Sequence, residues 1–117
     1  MNIKKPTFFI GYDSKEDIAY RVCKQSLLKK TSISINVKSL KLYELIAKKY
    51  YKKLVDPLAS TEFTYSRFLV PYLMNFSGWA VFCDCDFIFF ENLKNPFNSL
   101  DENKAIHCVQ HDYTPKE

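Results

Sequence analysis

This sequence is poor in the residues that dominate several classes of protein. Its 117 residues include 2 glycines, 5 prolines and 4 cysteines, which excludes collagen-like chains, low-complexity chains and small disulfide scaffolds. It contains no run of the roughly 18–20 apolar residues that span a bilayer. The apolar part of its start is too short for a secretory signal peptide. We therefore expect reduced thiols and a cytoplasmic location, with peripheral attachment at a membrane surface as an option.

Arginine is scarce as well. Of the 17 basic residues only Arg21 and Arg67 are arginine, and 13 acidic residues leave a net charge of +4. Lysine is a solvated point charge and suits forked recognition of phosphates or base edges less well than arginine does. We therefore expect no nucleic acid partner. The basic and aromatic cluster at residues 48–53 fits a solvated helix face, although contact with nucleic acid, an anionic lipid or a polyanionic acceptor is the alternative.

What is present is the composition of one globular domain over residues 1–117. Apolar residues make up 47% of the chain and charged residues 26%, which is enough to build a core without metal or disulfide. Hydrophobic periodicity predicts, in order, strand 6–12, a helix from Asp13, strand 33–38, helix 40–55, a helix from Ser60, strand 79–84 and strand 105–109. This alternation predicts an α/β fold, a Rossmann-like and mainly parallel sheet flanked by helices, with strand 79–84 in its centre.

For two of the predicted helices, the sequence also predicts how the helix begins or which face is apolar. Asp13 followed three positions later by Glu16 predicts a capping box at the start of the first helix. In the helix from Ser60, helical spacing predicts one apolar stripe, whose members are Tyr65, Phe68, Leu69, Tyr72 and Leu73. Arg67 points away from this stripe, an arrangement as typical of a solvated arginine as of a binding residue.

The strongest chemical signal is the aspartate pair in the segment FCDCDF. Strand alternation would place Asp84 and Asp86 on one side and Cys83 and Cys85 on the other, with the aspartate Cα atoms roughly 6–7 Å apart. Two carboxylates this close can share Mn²⁺ or Mg²⁺, which prefer oxygen ligands. Without a cation they would repel each other in an apolar stretch. The alternative is that they cap a turn or pair with lysines.

The first strand ends at the edge of the sheet where these aspartates are expected. In open α/β sheets, ligands bind beyond the carboxyl ends of the strands. Gly11, Tyr12 and Asp13 would therefore arrive near Asp84 and Asp86. The pattern predicts a ligand site at this edge.

In three segments taken in order, the sequence resembles the nucleotide-sugar-binding half of GT-A glycosyltransferases, and is most similar to the family 8-like bacterial enzymes. The segments are FFIGYDSKEDIAYRVCKQSLL, STEFTYSRFLVPYL and GWAVFCDCDFIFF, and together they cover roughly residues 7–112. The resemblance implies that Asp84 and Asp86 hold a divalent metal, and through it the diphosphate of a nucleotide sugar.

The resemblance also implies roles outside the aspartate pair. Gly11, Tyr12 and Asp13 would lie against the nucleoside, while Tyr65 and Arg67 would flank the donor site, although the position of Tyr65 on the stripe fits core packing better. The metal would neutralise charge growing on the departing diphosphate. The implied partners are a nucleotide-diphosphate sugar, with a UDP-sugar favoured, and a glycan or lipid-glycan acceptor.

This chain departs from the family in one respect. The family takes a further metal ligand, often a histidine, and its acceptor pocket from a later region, and His107 and His111 come too early to match that ligand. We therefore expect the chain to be the N-terminal, donor-binding part of such an enzyme, with activity of this chain alone left open.

Other interpretations of the same residues remain. The chain could be a non-catalytic module that binds a nucleotide sugar or a protein partner. Haloacid-dehalogenase-like phosphatases also carry D-x-D after an apolar strand, but a small residue and Thr normally follow, where Phe87 and Ile88 stand here. A zinc site from the cysteines is disfavoured by the C-x-C spacing, so we expect buried core thiols instead.

Overall fold

The structure is a computed structural model, and it describes residues 5–108 and 114, with the exception of the side chain of Asn95. Its strands and α-helices follow in the order β1 (Thr7–Gly11), α1 (Asp17–Lys30), β2 (Asn36–Leu40), α2 (Leu42–Ala47), α3 (Val70–Leu73), β3 (Ala80–Cys83) and α4 (Lys94–Asn98). Short 3₁₀ helices, Ser14–Glu16 and Ser66–Leu69, precede α1 and α3.

The three strands form one open parallel sheet in the order β2-β1-β3. In its centre, Phe8 of β1 lies opposite Val37 of β2 and Val81 of β3. All five residues of β1 are buried, as is typical of a parallel strand covered on both faces, and its TFFIG sequence is apolar enough for that position. The prediction of a small α/β fold with a parallel sheet flanked by helices is confirmed.

Helices cover both faces of the sheet because successive side chains of β1 point in opposite directions. Phe8 and Ile10 face α1, where they pack in clusters with Leu27 and Cys23. Phe9 faces the other way and packs with Leu40 and Leu45, together with residues of α3. The helices that follow β1 and β2 therefore lie on opposite faces of the sheet.

The start of the first helix follows the predicted cap only in part. The Asp13 side chain accepts a hydrogen bond from the Lys15 N–H at 2.9 Å, and this caps the 3₁₀ helix that leads into α1. The Glu16 carboxylate does not complete a capping box. It accepts a hydrogen bond from the Cys85 thiol instead, at 3.2 Å.

Two predicted boundaries near the second strand are wrong. That strand begins at Asn36 rather than at residue 33, and the helix predicted over residues 40–55 ends at Ala47. Lys49 takes a left-handed backbone conformation with φ of 61°. The N–H groups of Lys49 and Tyr50 then donate to the carbonyls of Ile46 and Leu45, which is the Schellman pattern that ends helices.

The central position predicted for the strand at 79–84 is also wrong. This strand is β3, spans Ala80–Cys83 and pairs with β1 at one edge of the sheet. Its first three residues are only partly buried, so its apolar character reflects two half-covered faces rather than a central place. Residues 105–108 form no strand, and Val109 lies outside the described residues.

The apolar stripe predicted from residue 65 onward joins the core only in part, because Leu69 and Leu73 pack against the cluster around Phe9 while its other three members are exposed. Tyr65, Phe68 and Tyr72 are 37%, 77% and 53% exposed, whereas Phe63 is buried at 2%. The regular helix is short because the chain first forms a 3₁₀ helix, and Pro71 stands in the first turn of α3. Within the described part of the chain, no helix is long and apolar enough to cross a membrane. The cytoplasmic location stays a prediction.

Candidate functional site

A cleft of about 200 Å³ lies beyond the carboxyl ends of β1 and β2. Adjacent parallel strands whose following helices lie on opposite faces leave a crevice between those ends, and ligands of open α/β proteins bind there. The polar side chains that line the cleft come from the turn after β1, from α2 and from residues 51–65, and they are Asp13, Lys15, Tyr43, Tyr51, Asp56, Ser60, Thr61, Glu62 and Tyr65.

Asp13 is the most buried charged residue of the cleft, at 5% exposure. Its Oδ1 accepts the N–H of Lys15 at 2.9 Å and its Oδ2 accepts the N–H of Glu62 at 3.3 Å. These two hydrogen bonds fix the orientation of the Asp13 carboxylate just beyond the end of the central strand.

Glu62 joins the same two segments from the other side. Its Oε1 accepts the Ser14 hydroxyl at 2.7 Å, and its Oε2 accepts the Ser14 N–H at 3.1 Å. The Asp13 carboxylate thus accepts from the Glu62 N–H, and the Glu62 carboxylate accepts from Ser14. These hydrogen bonds join the turn after β1 to the segment 60–65, which is nearly fifty residues away in the chain.

The tyrosines supply the apolar walls. The Tyr65 hydroxyl donates to Asp56 Oδ2 at 3.1 Å, and this hydrogen bond to a carboxylate raises the pKa of Tyr65. The Nζ of Lys53 stands 4.8 Å from the centre of the Tyr65 ring. Three carboxylates against Lys15 give the lining a net negative charge, so it favours ligands that donate hydrogen bonds.

The aspartate pair does not have the geometry that strand alternation predicts. β3 ends at Cys83, and the chain turns, with the Phe87 N–H bonded to the Asp84 carbonyl at 3.4 Å. The two aspartates therefore lie on a turn and not on one straight strand. In this turn Cys83 and Cys85 are buried, Asp84 is half-buried and Asp86 is exposed.

Arg67 is the charged neighbour of this turn. Its guanidinium lies over the rings of Phe63 and Phe82, at 5.4 and 5.1 Å from their centres, and its Nε donates to the Phe63 carbonyl. Its Nη1 stands 3.9 Å from Asp84 Oδ1, with both side chains more than a third exposed. Such an ion pair contributes about 0–1 kcal/mol.

The described residues contain no group of three or more His, Cys, Asp or Glu side chains that could hold a metal ion. This finding gives no support to a complete metal centre in this part of the chain, and it does not test a site of two carboxylates. A role for Asp84 and Asp86 as ligands of Mn²⁺ or Mg²⁺ would need oxygen atoms from a bound molecule and water, and that role stays a prediction.

The two residues before Asp13 do not line the cleft. Gly11 is covered by Phe63, and a Cβ atom at Gly11 would lie 2.6 Å from carbons of that ring. The Tyr12 hydroxyl donates to Asp17 Oδ1 at 2.7 Å, which raises the pKa of Tyr12, and its ring meets Tyr20 edge to face. Position 11 requires glycine because the Phe63 side chain packs directly against it.

The predicted site residues thus separate into two places. Asp13 and Tyr65 line the cleft, whereas Arg67 stands with Asp84 at the other side of β1. Sequence patterns missed Glu62 and Asp56 as cleft residues. The only local signal was the cluster Ser60, Thr61 and Glu62, which helix-start rules interpret as a cap and not as a binding segment.

The thiols behave largely as predicted. Cys23, Cys83 and Cys85 are free and buried, whereas Cys108 is free and exposed, which the sequence did not predict. Burial, with the hydrogen bond to Glu16, raises the pKa of Cys85 to about 12. A hydrogen bond with Cys23 and burial raise the pKa of Cys83 above its ordinary value.

The two histidines have no part in the cleft or in the turn after β3, as far as the structure describes them. The ring of His107 packs against Trp79, with centroids 5.2 Å apart, and its Nε2 accepts the Asp101 N–H at 3.2 Å. His111 lies outside the described residues.

Comparison with known proteins gives one informative match. The chain is 46% identical over 115 residues to Protein CDI of Arabidopsis thaliana, and the match covers 97% of this chain and 44% of the relative. The chain therefore spans less than half the length of the curated relative that it matches. No family model matches it, and no solved structure matches it either.

These findings overturn the glycosyltransferase assignment. The relative, similar over nearly the whole chain, bears no glycosyltransferase name, and no GT-A family model or structure matches. The described residues also build no metal centre. A glycine at a strand end, a capped helix and a short acidic pair recur in many α/β sheets, since they follow from strand and helix ends. The donor-binding half of a GT-A enzyme is therefore a wrong assignment.

Proposed function

We propose that this chain is a ligand-binding α/β module whose cleft takes a small molecule rich in hydroxyl or amino groups. The observation that carries the proposal is Asp13, a buried carboxylate held by two backbone N–H groups at the end of the central strand. A fixed acceptor in a crevice can orient a donor on a ligand without paying for its own rearrangement.

Charge narrows the class of ligand. Asp13, Asp56 and Glu62 line the cleft against a single lysine, Lys15. Free phosphates and carboxylates would be repelled there, whereas hydroxyls and protonated amines would be attracted. Tyr43, Tyr51 and Tyr65 supply faces on which the apolar side of a sugar or a planar ring can pack. Polyols, nucleosides and polyamines fit this description.

The nucleotide-diphosphate sugar predicted from the sequence shares part of this chemistry. Its hydroxyls suit the cleft, but its diphosphate would need a cation beside so many carboxylates. Asp84 and Asp86 do not line the cleft, and we propose them as a separate place, on the β3 side of β1, where Mn²⁺ or Mg²⁺ would bind together with phosphate oxygens, because Mg²⁺ sites often use only one or two protein carboxylates. The cation would supply charge neutralisation of the phosphates.

Calorimetry with a ligand panel tests the cleft. The panel contains a ribonucleoside, a disaccharide, spermidine, and a UDP-sugar with and without Mn²⁺. For a ligand that binds, Asp13→Asn should weaken affinity by at least about tenfold, because a charge-assisted hydrogen bond contributes about 1.5–3 kcal/mol. Tyr43→Ala, at a 70% exposed side chain of the lining, removes a wall without disturbing the core.

Glu102→Gln is the matched control, since Glu102 is exposed and does not line the cleft. It should bind as the unaltered chain does. The cleft is not the binding site if neither Asp13→Asn nor Tyr43→Ala changes the affinity of a ligand that binds. The proposal also fails if no compound of the panel binds to the chain.

A separate titration tests the cation. Mn²⁺ alone should not bind, whereas Mn²⁺ together with UDP should bind, and Asp86→Asn should abolish that binding.

A further inference from the structure

The basic and aromatic cluster does not lie on a helix. α2 ends at Ala47, and the chain continues from there as a loop. We call residues 48–55 the basic loop. All of its lysines are exposed, and they are Lys48, Lys49, Lys52 and Lys53. The cluster therefore lies on a loop and not on the predicted helix face.

The basic loop accounts for the whole net charge of the chain. It contains four lysines and no acidic residue, whereas the 13 basic residues outside it are balanced by 13 acidic residues. Both ion pairs among the described residues use arginine, so none of these lysines is neutralised there. Surface lysines that only keep a protein soluble are usually mixed with carboxylates. A separate block of positive charge indicates an anionic partner.

The fold holds the start of the basic loop in place. The N–H groups of Tyr50 and Tyr51 both donate to the Leu45 carbonyl, at 2.9 and 3.2 Å. The Tyr51 side chain packs against the cluster of Phe9, Leu40 and Leu45. The lysines next to these tyrosines therefore lie on an anchored segment, on the face of the sheet opposite to α1.

Exposed aromatic side chains continue the surface from the basic loop. The Tyr50 ring meets the Tyr72 ring of α3 with centroids 5.8 Å apart, and Tyr72 meets Phe76 at 6.4 Å. These three residues, which we call the aromatic row, are 40%, 53% and 76% exposed. Phe76 also has a left-handed backbone with φ of 55°. Bulky residues rarely adopt this conformation, and here it leaves an apolar ring in solvent.

We propose that the basic loop and the aromatic row bind the surface of membranes that contain anionic phospholipids. The lysines lie against the lipid headgroups, because an anionic leaflet attracts basic segments. Phe76 and the 89% exposed Leu54 enter the boundary of the acyl chains. The two tyrosines suit the headgroup level, because each ring is apolar with one polar end. The proposal does not depend on a ligand in the cleft.

A single-stranded nucleic acid is the competing polyanion, because its bases can stack on tyrosine rings. The exposed aliphatic side chains of Leu54 and Val55 favour the membrane, since they gain from leaving water but neither stack on bases nor pair with phosphates. The basic loop also contains no arginine, the residue best suited to forked recognition of phosphates and base edges. A membrane therefore fits this surface better.

Sedimentation of this chain with lipid vesicles tests the proposal. The chain should bind vesicles of phosphatidylcholine and phosphatidylserine in a two-to-one mixture, and it should not bind phosphatidylcholine alone. Binding should weaken as salt rises, because ions screen the lysines from the lipids. Lys48→Gln combined with Lys52→Gln should weaken binding about thirtyfold, since each lysine near an anionic surface strengthens it about fivefold.

Matched variants elsewhere on the chain are the controls. Lys29→Gln combined with Lys30→Gln removes the same charge from exposed positions at the end of α1, and binding should not change. Leu54→Ser should weaken binding at least about fivefold, because the leucine is no longer buried in lipid. Ile18→Ser, at a 78% exposed position of α1, should leave binding unchanged. Circular dichroism checks that each variant is folded.

Four results would overturn the proposal. The first is equal sedimentation with and without phosphatidylserine, including none with either. The second is an equal loss in the two double lysine variants, which would attribute binding to overall charge. The third is unchanged binding of Leu54→Ser, because any polyanion would then explain the surface. The fourth is binding of a single-stranded oligonucleotide without binding of the mixed vesicles, which would assign the surface to nucleic acid.

Discussion

Two acidic regions of this molecule, the cleft around Asp13 and the turn of Asp84 and Asp86, show opposite relations between sequence signal and structure. In the sequence the D-x-D stands out, and Asp13 is one capping residue among others. In the structure Asp13 is 5% exposed and bonded to two backbone N–H groups, while Asp86 is exposed and Asp84 has one distant ion pair. A fixed, desolvated charge is what a binding site needs, and the inconspicuous aspartate has it.

We expect the largest loss of stability from Gly11→Ala, because it disturbs the packing beneath the cleft. The new Cβ would lie 2.6 Å from the buried Phe63 ring, so the ring must move, and overpacking of this kind costs about 1–3 kcal/mol. Urea unfolding measures the loss. The double variant with Phe63→Leu should recover part of it, and equal losses with and without that second change would refute the clash.

Asp13→Ala should cause the second-largest loss of stability. It removes the cap of the 3₁₀ helix and the link to Glu62, and the loss of an N-cap costs about 0.5–2 kcal/mol. The free energy of unfolding in urea is again the measurement. Because the cap is a hydrogen bond to backbone, the loss should persist in 1 M NaCl, and disappearance of the loss at high salt would contradict this account.

The buried Cys85 thiol in the D-x-D turn predicts a loss of stability at alkaline pH. The pKa of the Cys85 thiol is raised to about 12 in the folded chain, against an ordinary value of 9.0. The unfolded chain therefore loses this proton first. Stability from this group is complete below about pH 9 and declines as pH rises towards 12. Urea unfolding at pH 8, 9 and 10 should show the decline, which should be shallower in Cys85→Ala.

Asp84→Asn should have the smallest effect. It removes half of an ion pair that is more than a third exposed and 3.9 Å long, so the change in the free energy of unfolding should stay below about 1 kcal/mol. A comparison with Asp13→Ala under the same conditions sharpens the contrast between the two regions. A loss as large as that of Asp13→Ala would show that the turn is built as firmly as the cleft.

The sequence predicted those parts of the fold that depend on local pattern. The sequence predicted the apolar run at β1 and the capping role of Asp13 before the first helix. Predictions failed where the structure depends on contacts between residues that lie far apart in the chain. The AVFC sequence of β3 is as apolar as a central strand, yet β1 takes the centre because both β2 and β3 pair with it. Phe63 is in the core because Gly11 leaves room above β1.

The sequence predicted where the site lies in the fold, but it did not predict most of the residues that form it. The carboxyl edge of a parallel sheet follows from alternating strands and helices, and the cleft lies there. Its partners Asp56 and Glu62 belong to a segment without clear periodicity, so no pattern could bring them to Asp13. The resemblance to GT-A enzymes rested on features that such edges share, and it therefore predicted too much.

By itself, the sequence of this protein determined the class of the fold, the buried first strand, the aspartate cap of the 3₁₀ helix before α1 and the burial of three thiols, because each depends on hydrophobic spacing or on residues a few positions apart. Only the tertiary structure decided which strand is central, that Glu62 and Asp13 link across 49 positions, and that the aspartate pair faces solvent on a turn. Those outcomes depend on which surfaces compete to be buried against one another, and such competition has no signature in local sequence.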